Sequence, residues 1–371
     1  MKELSKRDIL DILNGSVILG TGGGGSMDKG VKLIEQAESL DKKFYLVAIE
    51  EVLDDSMIFT PYGLGSISET PNEELVKYEG LQISDEEPIL VAVTRMEKYI
   101  DKKMYASIAC ETGGFNTALS LYVAAMKDGF FLDADLAGRA VPEVQNSTYY
   151  IHNLPASPIV VTNEFGEIAI YENIKDDQRS EVLLRALSKV SNNYLAVVDH
   201  ALDMKKLRHA IIPGTISKAL DLGRIYRLAK KEGGNVPQKL AKAAGGIVVF
   251  KGTISSFEWK TFEGFTQGHF IAKGKAGNER GKLKVWFKNE NLMSWFNDEV
   301  FITLPDLICI FDSETNEPVT NPNYRNGMNI VIIAYPAPLE FTTKRGLEAF
   351  GPKSFGFNIE YVPAIGRVQS L

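Results

Sequence analysis

The segment MYASIACETGGFNTALSLYVAAMKDGFFLDAD (residues 104–135) restricts the fold of this chain more than any other. MYASIAC (104–110) reads as a strand, TALSLYVAAMKDG (117–129) as a helix with an apolar face, and GFFLDAD (129–135) as a second strand. Strand, helix and strand within roughly thirty residues make a βαβ unit. Its crossover makes the two strands parallel members of one sheet.

Parallel strands end at the same edge, and small-molecule sites favour that carboxyl edge. The first strand runs directly into Glu111, followed by Thr112-Gly113-Gly114-Phe115-Asn116, and the second carries Asp133 and Asp135 at its end. Glu111, Asn116, Asp133 and Asp135 are therefore expected to converge there. Gly113 and Gly114 would let backbone amides approach a ligand at the start of the helix. The next stretch, LAGRAVPEVQNS, adds Arg139, Glu143 and Gln145. Each polar group has a structural alternative, since Asn116 can N-cap its helix and Asp135 the next one. A carboxylate placed directly after a buried strand is harder to explain that way, so Glu111 leads the catalytic candidates.

The first half continues this alternation, with FYLVAIE (44–50) and SMIFTPYG (56–63) as strands and ISDEEPILVAVTRMEKYID as a helix. SEVLLRALSKVS reads as a helix, YLAVVD as a strand, and GTISKALDLGRIYRLAKK as a helix with Thr215 at its N-cap. From Gly245 onward, short β-branched and aromatic runs alternate with Gly, Asn and Pro turns. The expected fold is α/β: a parallel-sheet α/β domain over residues 1–165, then a mixed and finally β-rich domain over 166–371.

A net charge of −7 without a basic stripe excludes a nucleic-acid footprint. The two cysteines, Cys110 and Cys309, lie far apart, so no disulfide framework is expected and a reducing cytoplasm is the natural compartment. MKELSKRDILDILNG has no apolar core for a signal peptide, and NIVIIAYPAPL is too short to span a bilayer. Size and type point to a homo-oligomer.

LGTGGGGS (19–26) matches G-x-G-x-x-G through Gly20, Gly22 and Gly25. A dinucleotide loop needs a strand before it and an acid about 20 residues on. Only SVIL could supply the strand, and Glu50 comes too late, so NAD or FAD is not favoured. Two readings stay open: amides of Gly22, Gly23, Gly24 and Gly25 binding a smaller polar or anionic ligand, or a structural turn. The four histidines show no metal-binding spacing. A site assembled from His152, His200, His269 and Cys110 would have to come from the fold.

Taken in order, LGTGGGG, E-x-GG-x-N, D-A-D-x-x-GRA-x-PE-x-Q, PGTIS, GG-x-x-x-F-KG, FKNENL, LPDLI and GPKSFGF form a series along residues 8–360. The series resembles the S-methyl-thiohydantoin desulfurase family, two-domain proteins often associated with hydantoinases. The resemblance implies hydrolysis of a C–S bond, or a related C–N or C=N bond, in a five-membered cyclic amide or thiourea-type ring. Under it, Glu111 acts as base, and Asp133 or Asp135 holds ring N–H groups. Arg139 binds a substrate carboxylate, and the Gly22–Gly25 amides an oxyanion. Zinc is the first metal to consider. Lys288 and Thr112 depart from the expected pattern, which leaves the substrate open. The rival readings are a non-catalytic hydantoinase partner and a nucleotide-dependent oxidoreductase.

Overall fold

The computed structural model describes residues 1–66, 76–274, 280–364 and 366. The βαβ unit forms as its pattern requires: β4 (Ala106–Ala109), helix α4 (Gly114–Met126) and β5 (Phe130–Asp135). Here β4 and β5 pair in parallel, Ala106 opposite Phe130. Before them come β1 (Lys2–Glu3), helix α1 (Lys6–Leu19), helix α2 (Met27–Ser39), β2 (Tyr45–Val47), β3 (Met57–Gly65) and helix α3 (Pro88–Ile100). β2 joins β5 in parallel, and β3 joins β4 in parallel. Nearly every residue of α4 is buried, since the sheet covers one face and α1 and α2 the other.

The sheet is mixed rather than all-parallel, and its strands extend past residue 165. It takes in β6 (Ile159–Thr162), β7 (Ile168–Tyr171), β8 (Tyr194–Asp203) and β9 (Ile212–Pro213). The order is β1-β2-β5-β4-β3-β8-β6-β7, with β9 on β5, and β8 runs antiparallel to β3. Helix α5 (Asp177–Lys189) lies between β7 and β8.

The β-rich half is one antiparallel sheet. Its strands are β10 (Ile247–Phe262), β11 (Phe265–Gly274), β12 (Lys282–Lys288), β13 (Glu290–Phe296), β14 (Glu299–Thr303), β15 (Leu307–Asp312) and β16 (Asn329–Tyr335). They run in the order β14-β13-β12-β11-β10-β16-β15. Alternating burial along β12 puts Leu283, Val285 and Phe287 into the core.

Helix α6 (Thr215–Glu232), followed by α7 (Val236–Ala243), joins the two halves. Ala219, Leu222 and Tyr226 of α6 pack with Ile18 and Leu19 of α1 and with Cys309, Phe311 and Ile333 of the second sheet. Residues 16–19, SVIL, are the last turn of α1 and not a strand. All four are buried, and such a short apolar run carries no periodicity to distinguish the two states. On the same contact Asp11 takes a bidentate bond from Arg227, 2.7 Å to each oxygen.

Two glycines set the α1–α6 distance. A Cβ on Gly15 would lie 1.9 Å from the Ala219 carbonyl oxygen, and one on Gly223 would lie 1.7 Å from that of Asp11. Because both obstacles are backbone, a side chain can be accommodated only by moving a helix. Gly15→Ala and Gly223→Ala are each expected to destabilise the protein by about 1–3 kcal/mol, read as a lower urea midpoint with an unchanged m-value. Midpoints equal to the parent's would show that this contact does not set the helix spacing.

Candidate active site

The carboxyl edge of the first sheet faces the second sheet across a cleft of about 710 Å³. Glu111 leaves β4 into this cleft and is only 5% exposed. Its Oε1 accepts from Asn116 Nδ2 at 2.7 Å, and its Oε2 accepts from the Val141 amide at 2.7 Å. Asn116 in turn accepts the Gly63 amide at 2.9 Å. Asn116 therefore orients Glu111 instead of capping the helix, whose N-cap is Gly113. Burial pushes the Glu111 carboxyl up to about 7, against the two hydrogen bonds that favour its charged form.

The two aspartates of β5 turn elsewhere. Asp135 is fully buried, accepting Thr112 Oγ1 at 2.6 Å and the Gly138 amide at 2.8 Å, and burial raises it to about 6. Asp133 accepts the amide and hydroxyl of Ser217 at 2.8 and 2.5 Å. It thereby supplies the cap that α6 lacks, because the N-cap position is Gly214 and not Thr215. Neither aspartate lines the cleft.

Arg139 does not face the cleft either. Its guanidinium is 0% exposed and donates to the carbonyls of Ala140, Pro305, Asp306 and Asn291 and to Thr21 Oγ1, at 2.7–3.2 Å. All of these acceptors belong to the protein, so the fork is not presented to a substrate carboxylate.

The glycine loop follows helix α1, so the strand that a dinucleotide fingerprint requires is not there. Gly24 and Gly25 line the cleft, while Gly22 and Gly23 lie behind it. Gly24 has φ +76°, and a Cβ there would come within 2.4 Å of Gly113 Cα. The two glycine pairs thus make one close backbone contact, sealed by the Phe115 amide donating to the Gly24 carbonyl at 2.8 Å. Gly114 packs behind it against Val17 and Met27.

Onto this contact the second sheet brings Glu290, at the start of β13. A Cβ on Gly23 would collide with Glu290 Oε1 at 1.8 Å, and the nearby Gly24 amide favours the charged form of this carboxyl. Glu290 lines the cleft, is 2% exposed, and among the described residues its Oε2 has no hydrogen-bond partner. Burial, followed by repulsion from Glu111, pushes it well above the usual carboxylate range, with Arg139 opposing. Two buried carboxyls from different domains thus share one wall.

Farther along the wall, Tyr62 donates to Asp199 Oδ2 at 2.7 Å, and Asp199 Oδ1 lies 2.9 Å from His200 Nδ1. His200 Nε2 is 3.7 Å from Asp177 Oδ1. Burial alone would lower the imidazole, but Asp199 and Asp177 together outweigh it and hold it above its ordinary value. Its φ of +42° is unusual for a side chain of this size. Cys110 is half-buried on the same wall. Burial and then Glu111 push its thiol well up, so it is neutral at physiological pH and poorly suited to act as a nucleophile.

At the mouth, Lys288 pairs with Glu143 and stands over the Phe265 ring at 4.0 Å. Arg185 bonds Glu181 at 2.8 Å and spans to the carbonyls of Gly65 and Gly264. His152 packs edge-on against His209, and His269 lies on β11 opposite Trp286, both away from the cleft. Among the described residues no three His, Cys, Asp or Glu side chains gather as metal ligands.

Of the residues singled out from the sequence, Gly24, Gly25, Cys110, Glu111, Asn116, Glu143 and His200 line the cleft, whereas Glu290, Tyr62, Asp199 and Arg185 were missed, as was Asp177 beside His200. The signal that singled out Glu111, a carboxylate at the end of a buried strand, also applies to Asp199 after YLAVV. Glu290 interrupts two apolar runs within FKNENL.

An α/β domain and an antiparallel β domain with an acidic cleft at their junction define the class of protein. The model of the S-Me-THD-like N-terminal domain matches residues 7–173, and that of the S-Me-THD-like C-terminal domain matches residues 175–364. The chain belongs to the S-Me-THD-like family, as its motif series implied. A crystal structure of a protein from Chromobacterium violaceum is similar, with 22% identity and a TM-score of 0.79 over 98% of this chain and 100% of that one, and shows the same fold. No curated protein matches the sequence. No helix among the described residues is long and apolar enough to cross a membrane.

The raised carboxyls make stability depend on pH with a definite sign. Glu111 and Asp135 keep their protons in the native state up to about 7 and about 6, while in the unfolded chain they lose them near 4.5 and 3.8. The native state binds more protons between these limits, so its stability falls as pH rises through that window. Urea unfolding is expected to show a loss on the order of 2–4 kcal/mol between pH 4.5 and 7.5. A flat or rising profile would contradict the assigned burial.

Proposed function

We propose that the cleft hydrolyses a hydantoin-like five-membered ring at a carbon bearing sulfur, releasing a thiol and leaving a carbonyl. Family membership supports the ring class. The observation that carries the chemistry is Glu111, a cleft carboxyl held through both oxygens by Asn116 and Val141 and raised by burial to about 7. A general base works best with a pKa near the working pH, and burial provides that here. The donors on both oxygens fix the carboxylate plane, so its remaining lone pairs keep a constant direction toward water.

In this reading, water adds to the amidine-like ring carbon while Glu111 takes its proton and passes it to the ring nitrogen. The Tyr62 phenol, with its proton committed to Asp199, presents only lone pairs. It therefore suits a ring N–H as a hydrogen-bond acceptor.

Glu111→Gln is expected to lower kcat for thiol release from an S-methyl thiohydantoin by about 10²–10⁴-fold while changing KM little. In the parent protein, kcat/KM should rise with pH through an apparent pKa of about 7, because only the ionised base accepts a proton. Thiol release would be followed with a chromogenic disulfide. Full activity in the variant, or a profile flat from pH 5.5 to 8.5, would remove Glu111 from this role.

A further inference from the structure

Breaking the C–S bond of a thioether requires help for the leaving sulfur, because an alkanethiolate is a strongly basic leaving group. Glu111 cannot give this help while it serves as base. Among the described residues, the cleft wall holds one other carboxyl in contact with the glycine loop, Glu290, and it belongs to the opposite domain.

Several observations set Glu290 apart from a structural glutamate. It is 2% exposed, yet among the described residues no cation pairs with it within salt-bridge distance. Among the described residues its buried Oε2 has no hydrogen-bond partner, whereas Glu111 has a donor on each oxygen. A buried carboxylate with an empty oxygen is costly, while a carboxylic acid there needs only an acceptor for its proton. The local backbone is arranged around it. Gly23 leaves room for Oε1 where any side chain would collide. The charged groups that face it are Glu111 from β4 and Arg139 from the loop after β5. Glu111 disfavours a second negative charge, and Arg139 directs its hydrogens to carbonyls and Thr21 instead of to Glu290.

We propose that Glu290 is the general acid of this site, donating the proton from its unpartnered oxygen to the departing sulfur while Glu111 serves as the base. This rests on the hydrolytic reading above. After water has added and the ring nitrogen is protonated, Glu111 takes the proton of the new C–OH group. The C=O bond forms, and the C–S bond breaks with its electron pair on sulfur, which takes the Glu290 proton and leaves as thiol. Glu111 is then protonated and Glu290 ionised. Return of one proton from the first to the second restores the starting state, so ring plus water gives carbonyl ring plus thiol. The favoured substrates are therefore thioethers of alkyl thiols, whose poor leaving groups need an acid.

The test compares an S-methyl thiohydantoin with its S-(4-nitrophenyl) counterpart, whose thiolate leaves without a proton. Glu290→Gln is expected to lose about 10²–10⁴-fold in kcat on the S-methyl ring but to stay within about tenfold of the parent on the S-aryl ring. Glu111→Gln, lacking the base, should lose activity on both. Equal losses for Glu290→Gln on the two substrates, or no loss on the S-methyl ring, would overturn the assignment while leaving the hydrolytic reading intact. Absence of thiol release by the parent from either ring would overturn both. If the variant fails to fold, the parent alone decides across a series of S-aryl rings. Rates that depend weakly on thiol acidity support protonation of sulfur as it leaves, and a steep dependence overturns it.

Discussion

The buried guanidinium of Arg139 connects the two halves of this molecule. It leaves the loop after β5 in the first domain and reaches the carbonyls of Asn291, Pro305 and Asp306 in the second, and Thr21 in the glycine loop. A fully buried cation requires every donor to find an acceptor, and carbonyl dipoles supply most of them here. Burial lowers its pKa only to about 10, so it stays charged at neutral pH. Thr21 stands at φ +50°, a conformation a β-branched residue adopts only under restraint. Arg139 holds its hydroxyl at 2.7 Å, and the Asn291 amide bonds its carbonyl at 2.8 Å.

Three residues on, Gly24 meets Gly113, and Glu290 lies on the same wall as Glu111. The domain junction is thus a means of placing two acids against one ligand, each on a different sheet. Rigid strands position them, and the packing of α6 between the sheets keeps the strands in register with each other. The network of Tyr62, Asp199, His200 and Asp177 continues the same wall. Its imidazole is lowered by burial but held above its ordinary value by Asp199 and Asp177.

Much of this was legible from local pattern. The βαβ unit, its carboxyl edge and the prominence of Glu111 followed from strand and helix periodicity together with the rule that strand ends host ligands. The motif series identified the family. Other placements were ambiguous from local signals. SVIL has the composition of a strand and the context of a helix end. Arg139 and Asp135 are polar residues beside a ligand edge, and their sequence neighbourhood is the same whether they face solvent, substrate or a buried carbonyl. Asp133 looked like a ligand group because α6, which it caps, begins some eighty residues later.

The sequence by itself determined the secondary elements and the class of each half, because these depend on the repeat of apolar residues along a few turns or strand steps. It also determined which carboxylates sit at strand ends. The tertiary structure decided which of them share a cavity, which are raised by burial, and which are consumed by caps and loops. Those properties depend on distance and dielectric between segments as far apart as Gly24, Glu111 and Glu290. No local pattern encodes such distances, and they exist only once α1, α6 and the two sheets have packed.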